Sequence, residues 1–208
     1  EPGREGSEIV AIRFERGGRQ PPLDGEVAQE GVDSNVETHR APYAIAARDH
    51  MARAGGKKFV VVRINAGALP PESALNSAEN GYGRLLGEAC HFVDLARFLV
   101  GSRIASVHAM AARSDSGVCD DVSATLAFAD GGLATIAYTS LGDPSAAKEQ
   151  IEGYAGGTIV TIDDFRNMTV AVDGKTRRLK KITGQDKGHT AELEAFVAAV
   201  ASGGPAPV

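Results

Sequence analysis

Four ionisable side chains recur at helical spacing in the stretch RLLGEACHFVDL. Arg84, Glu88 and His91 are separated by four and three residues, and Asp94 follows three residues later. At 3.6 residues per turn, side chains with this spacing share one face of a helix. A histidine beside carboxylates on a largely apolar helix is suited to proton transfer, because its unperturbed pKa is about 6.5. We therefore treat His91 as a candidate proton carrier. The alternative is a solvated face that holds only ion pairs between successive turns.

Three glycines precede or enter this helix and raise the possibility of a nucleotide loop. Gly81, Gly83 and Gly87 give the spacing G-x-G-x-x-x-G. A dinucleotide fingerprint begins directly at the end of a strand and belongs to alternating strands and helices. Here the preceding strand ends near Gly67, a proline-rich loop intervenes, and hairpins follow after Asp115. The sequence therefore favours a helix that carries catalytic side chains, and it predicts no cofactor-binding residues.

Composition excludes several classes of protein. The net charge is -5 over 208 residues, which argues against a nucleic-acid partner. No apolar run approaches the roughly 20 residues that a membrane helix needs. Cys90 and Cys119 suit a reducing cytoplasm, their spacing matches no zinc signature, and two unpaired thiols are favoured over a disulfide. We expect a cytoplasmic protein with neither a membrane partner nor a metal ion.

The pattern of elements predicts an α+β domain. Residues 1–42 form a poorly defined arm in which Glu8–Phe14 is a candidate strand, and residues 43–208 form the domain. PYAIAARDHMARA reads as a helix and KKFVVVRINAG as a strand, and the helix of His91 ends at Gly101. Strands then follow at tight turns such as Asp130-Gly131-Gly132, up to the basic edge strand KTRRLKKIT.

The last predicted element is a helix, HTAELEAFVAAVAS, which Thr190 caps and Gly203-Gly204 ends. Leu193, Phe196, Val197 and Val200 line one of its faces. Because strands joined by tight turns pair antiparallel, the prediction is an open, mostly antiparallel sheet covered on one face by helices.

Several motifs resemble the C-terminal domain of the glucose–fructose oxidoreductase / inositol dehydrogenase (Gfo/Idh/MocA) family. They are the segment from Gly83 through His91 to Gly101, Arg63-Ile-Asn65-Ala-Gly67, Asp163-Asp-Phe-Arg166 and Gln185-Asp-Lys-Gly-His189. The resemblance covers about Pro42 to Val208. It is strongest to a subgroup in sugar and polysaccharide metabolism that is often fused to a zinc-type alcohol dehydrogenase domain. The family's Rossmann domain, with its NAD(P) site and Glu-Lys-Pro motif, has no counterpart here, so the chain looks like a fragment.

The resemblance also implies roles for individual residues. His91 matches the family's helix histidine, which lies near the reacting carbinol. Many relatives have an aspartate one turn earlier; that position is Gly87 here, so either Glu88 substitutes for it or His91 acts alone. Asp94 matches a family acid that contacts substrate or anchors the helix. Candidates for binding substrate are Arg84, Asn65 and Lys187, and Asn65 alternatively ends a strand.

Two functions follow from the sequence. The first is the substrate-binding and oligomerisation domain of an NAD(P)-dependent oxidoreductase acting on a sugar or sugar derivative, with catalysis by His91 and Glu88. In that case NAD(P) belongs to the complete enzyme, and the chain alone binds no cofactor and is inactive. The second is a non-catalytic assembly or binding module. Both predict a homodimer or tetramer formed through the sheet.

Overall fold

One mixed sheet dominates the fold. A computed structural model of the chain describes residues 10–14, 37–68, 84–112, 120–179 and 184–205. In these ranges nine strands pair in the order β1-β3-β4-β5-β2-β6-β7-β8-β9. The strands are β1 (Val10–Phe14), β2 (Lys58–Asn65), β3 (Ile104–Ala112), β4 (Asp121–Phe128), β5 (Leu133–Thr139), β6 (Glu149–Ala155), β7 (Thr158–Asp163), β8 (Asn167–Val172) and β9 (Lys175–Arg178). Every neighbouring pair is antiparallel except β2 and β5, which run parallel.

Two of the described helices cover one face of this sheet. The helices are α1 (Glu37–Arg40), α2 (Pro42–Ala54), α3 (Cys90–Val100), which a π-helical turn over Leu85–Ala89 precedes, and α4 (His189–Ser202). Helix α1 packs against the other three helices, and α4 packs against α1. Helix α2 packs against β6, β7 and β8, while α3 packs against β2 and β5. The predicted α+β class and the largely antiparallel sheet are confirmed.

Strand alternation explains which face is covered. In β2, Val60, Val62 and Ile64 are fully buried. Phe59, the second residue of the strand, is 39% exposed. Side chains at successive positions point to opposite faces, so the first three meet the helices and Phe59 lies on the uncovered face. Burial of each such aliphatic side chain stabilises the fold by about 1.5–3 kcal/mol.

The position of β2 determines where the connections run. It comes early in the chain but lies between β5 and β6. Residues 140–148, which join β5 to β6, must therefore pass over the carboxyl end of β2. Beneath this loop lie the ends of β2 and β5 and the start of β6. The π-helical turn begins at this same end of the strands.

The helix of interest ends as predicted but begins differently. Gly101 has a left-handed conformation (φ 74°), and its N–H donates to the Arg97 carbonyl over 2.8 Å. This is a common end to a helix, because glycine adopts positive φ without steric cost. At the other end, the regular α-helix predicted from Arg84 is replaced by one π-helical turn. Such turns carry an extra residue per turn and occur often at functional sites.

Helix α4 spans the predicted residues, but its N-cap differs from the prediction. The helix begins at His189, and the preceding Gly188 has φ 94° with no side-chain cap. The Asp186 carboxylate accepts the Gly188 N–H over 2.9 Å, so an acid upstream orders this turn and the predicted Thr190 cap is wrong. Gly203 ends the helix as predicted. The apolar face of Leu193, Phe196, Val197 and Val200 is exposed.

Three remaining sequence predictions concern the N-terminal strand, two loop segments and the cysteines. The candidate strand at Glu8–Phe14 is present as β1 over Val10–Phe14, and it pairs with β3. The predicted proline-rich loop and the segment with Asp115 and Cys119 lie outside the described residues. Cys90 forms no disulfide within the described part of the chain.

Candidate functional site

Two strand ends hold the start of the helix in place. The Arg84 backbone N–H donates to Asp120 Oδ1 over 3.1 Å, and the Arg84 guanidinium donates to the Gly67 carbonyl over 2.6 Å. The first turn of a helix has N–H groups without intrahelical partners, and a carboxylate there is favoured by hydrogen bonding and by the helix dipole. Asp120 and Gly67 therefore fix this helix against the end of β2 and the start of β4.

Glu88 is the centre of a polar cluster on the covered face. Its Oε2 accepts a 2.5 Å hydrogen bond from the Tyr138 hydroxyl, and its Oε1 forms an ion pair with Lys148 Nζ. Arg84 Nε lies 3.9 Å from Oε2, one turn earlier in the helix. The carboxylate is thus held by donors from β5, from the loop that ends at β6 and from its own helix.

These contacts determine the charge state of the cluster. Burial by itself raises the pKa of Glu88, but hydrogen bonds from Lys148 and Tyr138, with the positive charges of Lys148 and Arg84, bring it below the usual value. Burial and the neighbouring Glu88 carboxylate raise the pKa of Tyr138 well above its usual range. At neutral pH Glu88 is an anion and Tyr138 a neutral donor, so the pair orients groups and does not release protons.

His91 lies on the first turn of α3 and is half-buried. Its Nδ1 is buried and has no hydrogen-bond partner among the residues that the structure describes. Its carbonyl accepts a 3.4 Å hydrogen bond from the Thr38 hydroxyl. A buried ring nitrogen without a partner is uncommon in folded proteins. This ring nitrogen is therefore shielded from bulk solvent.

Glu88 and His91 do not interact directly. Both Glu88 oxygens are occupied by Tyr138, Lys148 and Arg84, and within the described ranges none of these hydrogen bonds reaches His91. Of the predicted cluster, the structure brings Arg84 and Glu88 together, and it leaves His91 adjacent along the helix.

Asp94 has a separate environment. Its Oδ2 lies 2.7 Å from His39 Nδ1, and each side chain is less than a fifth exposed. The His39 ring also packs against Phe98, with 5.3 Å between ring centroids. Asp94 therefore joins α3 to α1, which agrees with the anchoring alternative, and it takes no part in the Glu88 cluster.

Asn65 supports the loop that supplies Lys148. Its backbone N–H donates to the Lys148 carbonyl over 2.7 Å, and its Nδ2 donates to the Asp143 carbonyl over 2.7 Å. Gly142 allows this approach, since a Cβ there would lie 1.9 Å from Asn65 Oδ1. Asn65 is buried, and its Oδ1 has no partner among the described atoms. Its observed contacts position the loop.

Lys187 neutralises a buried acid. Its Nζ lies 2.6 Å from Glu149 Oε1, and Glu149 is only 2% exposed. A buried carboxylate without a partner is costly, so this contact serves stability. Glu149 directly follows Lys148 in the chain, but within the described residues no hydrogen bond or ion pair joins Lys187 to Glu88.

Sequence reasoning missed Tyr138, Lys148 and Asp120. The signal for Tyr138 was present: Ala134, Ile136 and Tyr138 alternate in β5, which places the hydroxyl on the buried face, where it needs a partner. Nothing local indicated Lys148, because its contact depends on the path of the loop over β2.

Within the described residues, no group of three or more His, Cys, Asp or Glu side chains is arranged to hold a metal ion. None of the helices there has the length and apolar character needed to span a bilayer.

Comparison with known proteins bears on the whole cluster. Residues 58–157 match the sequence model of the GFO/IDH/MocA C-terminal domain, a range that includes Glu88, His91, Tyr138 and Lys148. A comparison with curated proteins found no match.

Solved structures share the fold. An aldose-aldose oxidoreductase from Caulobacter crescentus superposes with a TM-score of 0.71 at 17% identity, covering 83% of this chain and 54% of that one. An oxidoreductase domain protein from Kribbella flavida superposes with a TM-score of 0.67 at 19% identity, and the match covers 81% of this chain and 57% of that protein. A UDP-N-acetylglucosamine 3-dehydrogenase from Acidithiobacillus ferrooxidans superposes with a TM-score of 0.62 at 17% identity, and the match covers 81% of this chain and 52% of that protein. The chain spans about half the length of these proteins, and the likeness is one of fold.

Proposed function

We propose that this chain is the substrate-binding and oligomerisation domain of an NAD(P)-dependent oxidoreductase that acts on a sugar or sugar derivative. The observation that carries the proposal is the Glu88–Tyr138–Lys148 cluster beside the half-buried His91, within the range that matches the GFO/IDH/MocA C-terminal domain. The names of the proteins with the same fold, an aldose oxidoreductase and a nucleotide-sugar dehydrogenase, support a sugar as substrate. The sequence motifs further favour the subgroup often fused to a zinc-type alcohol dehydrogenase.

In this proposal the described residues do not themselves supply the dinucleotide site. Among the described strands, the parallel pair β2 and β5 is linked through α3, β3 and β4, whereas a dinucleotide fold uses a strand–helix–strand crossover. The nicotinamide, which accepts hydride when it is bound, belongs in this proposal to a separate domain.

The residues of this chain bind the substrate and move its proton. His91 accepts the proton of the reacting hydroxyl; imidazole is the side chain used most often for this step, and His91 follows Glu88 by three residues along the helix. Lys148 uses one N–H for Glu88 and directs the others to neighbouring sugar oxygens; its side chain is 41% exposed. Glu88 and Tyr138 hold that ammonium in place. Binding energy thereby restricts the substrate to a reactive orientation.

Replacement of His91 tests the catalytic assignment. In the complete polypeptide that carries this chain, His91→Ala is expected to lower kcat at least about a hundredfold, since positioned acid–base groups contribute about 10²–10⁴. His50→Ala, on α2 outside the cluster, is the matched control. Normal turnover in His91→Ala would remove the catalytic role. The isolated chain is expected to bind neither NADH nor NADPH.

The uncovered face of the sheet supports oligomerisation. Leu133, Phe59, Tyr154 and Ile159 occupy directly opposed positions on four neighbouring strands. Leu133, Phe59 and Ile159 are each about 40% exposed. Such a row of apolar side chains can pair with the same row of a second copy around a two-fold axis.

The same row of apolar side chains also favours the second candidate function, a non-catalytic assembly module. The mass of the chain in solution tests the oligomerisation that both candidates predict. Light scattering is expected to give a dimer or tetramer mass that falls to the monomer in Phe59→Glu. Leu141→Glu changes an exposed leucine in the loop and is expected to leave the mass unchanged. A loss of mass in Phe59→Glu together with full turnover in His91→Ala would favour the assembly module over the enzyme domain.

A further inference from the structure

A cavity lined by three arginines lies at the end of α3 opposite to the Glu88 cluster. Its volume is about 650 Å³, and its lining includes Arg48, Arg97, Arg103, Phe98, Ser102 and Ile104. Arg97 is six residues beyond His91, which is about 9 Å along a helix axis. Helix α3 follows the turn that lies at the carboxyl end of β2, and it ends beside Lys58 at the start of β2. The cavity is therefore separate from the proposed substrate site.

Arg48 is held in a fixed orientation. Its Nε and Nη2 donate to Asp49 Oδ1 over 3.1 and 2.9 Å, and its guanidinium carbon lies 4.6 Å from the centre of the Phe98 ring. His39 packs against the same ring. A guanidinium that is already immobilised by an aromatic ring and a carboxylate loses little further entropy when it binds a ligand.

Arg97 and Arg103 lie on opposite sides of the turn at Gly101. The left-handed conformation of Gly101 reverses the chain after the last turn of α3, so both residues reach the same cavity. Both are exposed, and their guanidinium groups form no ion pair or hydrogen bond with the described residues. Lys58 adds a further positive charge nearby, since its Nζ donates to the Val100 carbonyl over 2.6 Å.

The charges around the cavity are unbalanced. Three guanidinium groups line it, and the Lys58 ammonium binds the Val100 carbonyl at the adjoining end of α3. In the described residues, the acid that binds a lining arginine is Asp49. Like charges in one concave site repel each other, and an anion bound between them relieves that repulsion. This concentration of positive charge occurs in a chain whose net charge is -5.

We infer that this cavity binds the phosphate or diphosphate group of a small molecule. Guanidinium groups offer paired N–H donors that match phosphate oxygens, and several of them suit a group with two or more negative charges better than a single carboxylate. The Ser102 hydroxyl is a further donor in the lining. The volume is in the range of small-molecule sites, about 300–1,000 Å³. The simplest competing role for Arg97 is stabilisation of the negative end of α3.

Calorimetric titration of the full 208-residue chain with inorganic pyrophosphate tests this inference. We expect binding that weakens at least tenfold in R97Q/R103Q and weakens as salt concentration rises. Both side chains are exposed, so the variant should keep its unfolding temperature. R177Q/R178Q, on the exposed edge strand β9, is the matched control and should bind as the wild type does.

The results separate the alternatives. Absence of pyrophosphate binding at millimolar concentration, or equal binding by the wild type and R97Q/R103Q, would overturn the inference. Titration with AMP and with a sugar monophosphate then identifies the source of the phosphate group, because the preferred ligand competes with pyrophosphate. The outcome does not depend on His91, so this site and the proposed oxidoreductase function can fail separately.

Discussion

The hydroxyl of Tyr138 lies 2.5 Å from the carboxylate of Glu88, although fifty residues separate them in the chain. The tyrosine is at the end of β5 and the glutamate is in the π-helical turn before α3. Lys148 completes the contact from a loop that crosses β2. The cluster therefore depends on three elements that meet only when the sheet is complete.

Removal of the Tyr138 hydroxyl is expected to destabilise the fold. Tyr138→Phe leaves a largely buried carboxylate with one donor fewer, which typically costs about 1–3 kcal/mol. Urea unfolding measures the difference. Tyr154→Phe is the matched control, because that hydroxyl also donates to a glutamate, Glu152, but on the uncovered face; we expect a change within about 0.5 kcal/mol. Equal losses in the two variants would show that the Glu88 contact has no special weight.

The charge of Glu88 predicts a specific dependence of stability on pH. Its pKa is lower in the folded chain than the value of 4.5 expected when unfolded. Its contribution to stability is therefore complete above pH 4.5 and is lost as the pH falls through the lowered folded pKa. Glu88→Gln does not titrate there. We expect the difference in unfolding free energy between wild type and Glu88→Gln to shrink on acidification, and a constant difference would contradict this.

The Asp94–His39 contact is expected to be structural. Asp94→Asn should lower the unfolding free energy by about 1 kcal/mol, because a charged hydrogen bond between α3 and α1 is weakened. A double-mutant cycle with His39→Ala measures the coupling directly. In the complete polypeptide, kcat should stay close to the wild-type value. A collapse of kcat with unchanged stability would instead assign Asp94 to the substrate site.

Gly142 is expected to tolerate no larger side chain. In Gly142→Ala the added Cβ would lie 1.9 Å from Asn65 Oδ1 and 2.6 Å from Asn65 Cγ, so Asn65 must move and its bond to Asp143 is lost. Loss of a buried hydrogen bond predicts destabilisation by about 1–3 kcal/mol, measured by thermal unfolding. Gly87→Ala is the control, since a Cβ there meets nothing within 4 Å.

Local signals were enough to predict most of the elements. The turn at Asp130-Gly131-Gly132 and the helix end at Gly101 depend on residues that are adjacent in the chain, and both are present. The predicted Thr190 cap of α4 was wrong because the N-cap position belongs to Gly188, two residues earlier, whose N–H donates to the Asp186 carboxylate.

The partners of the site could not be predicted in the same way. Arg84 and Glu88 were paired from helical spacing, and the structure has that pair. Tyr138 and Lys148 reach Glu88 only because β2 inserts between β5 and β6. Strand periodicity contains no information on that order, and the π-helical turn has no signature in apolar spacing. Non-local topology therefore limits prediction of this site more than side-chain chemistry does.

The insertion of β2 has a consequence for how the chain unfolds. The meander β3–β5 and the meander β6–β9 are each continuous in sequence, and among the described strands β2 alone hydrogen-bonds to both. If β2 dissociates, β5 and β6 each expose an unpaired edge, and both edges are complementary to the same strand in a neighbouring molecule. Dissociation of β2 would thus expose two unpaired strand edges, and retention of β2 protects the chain against strand exchange with a neighbouring molecule.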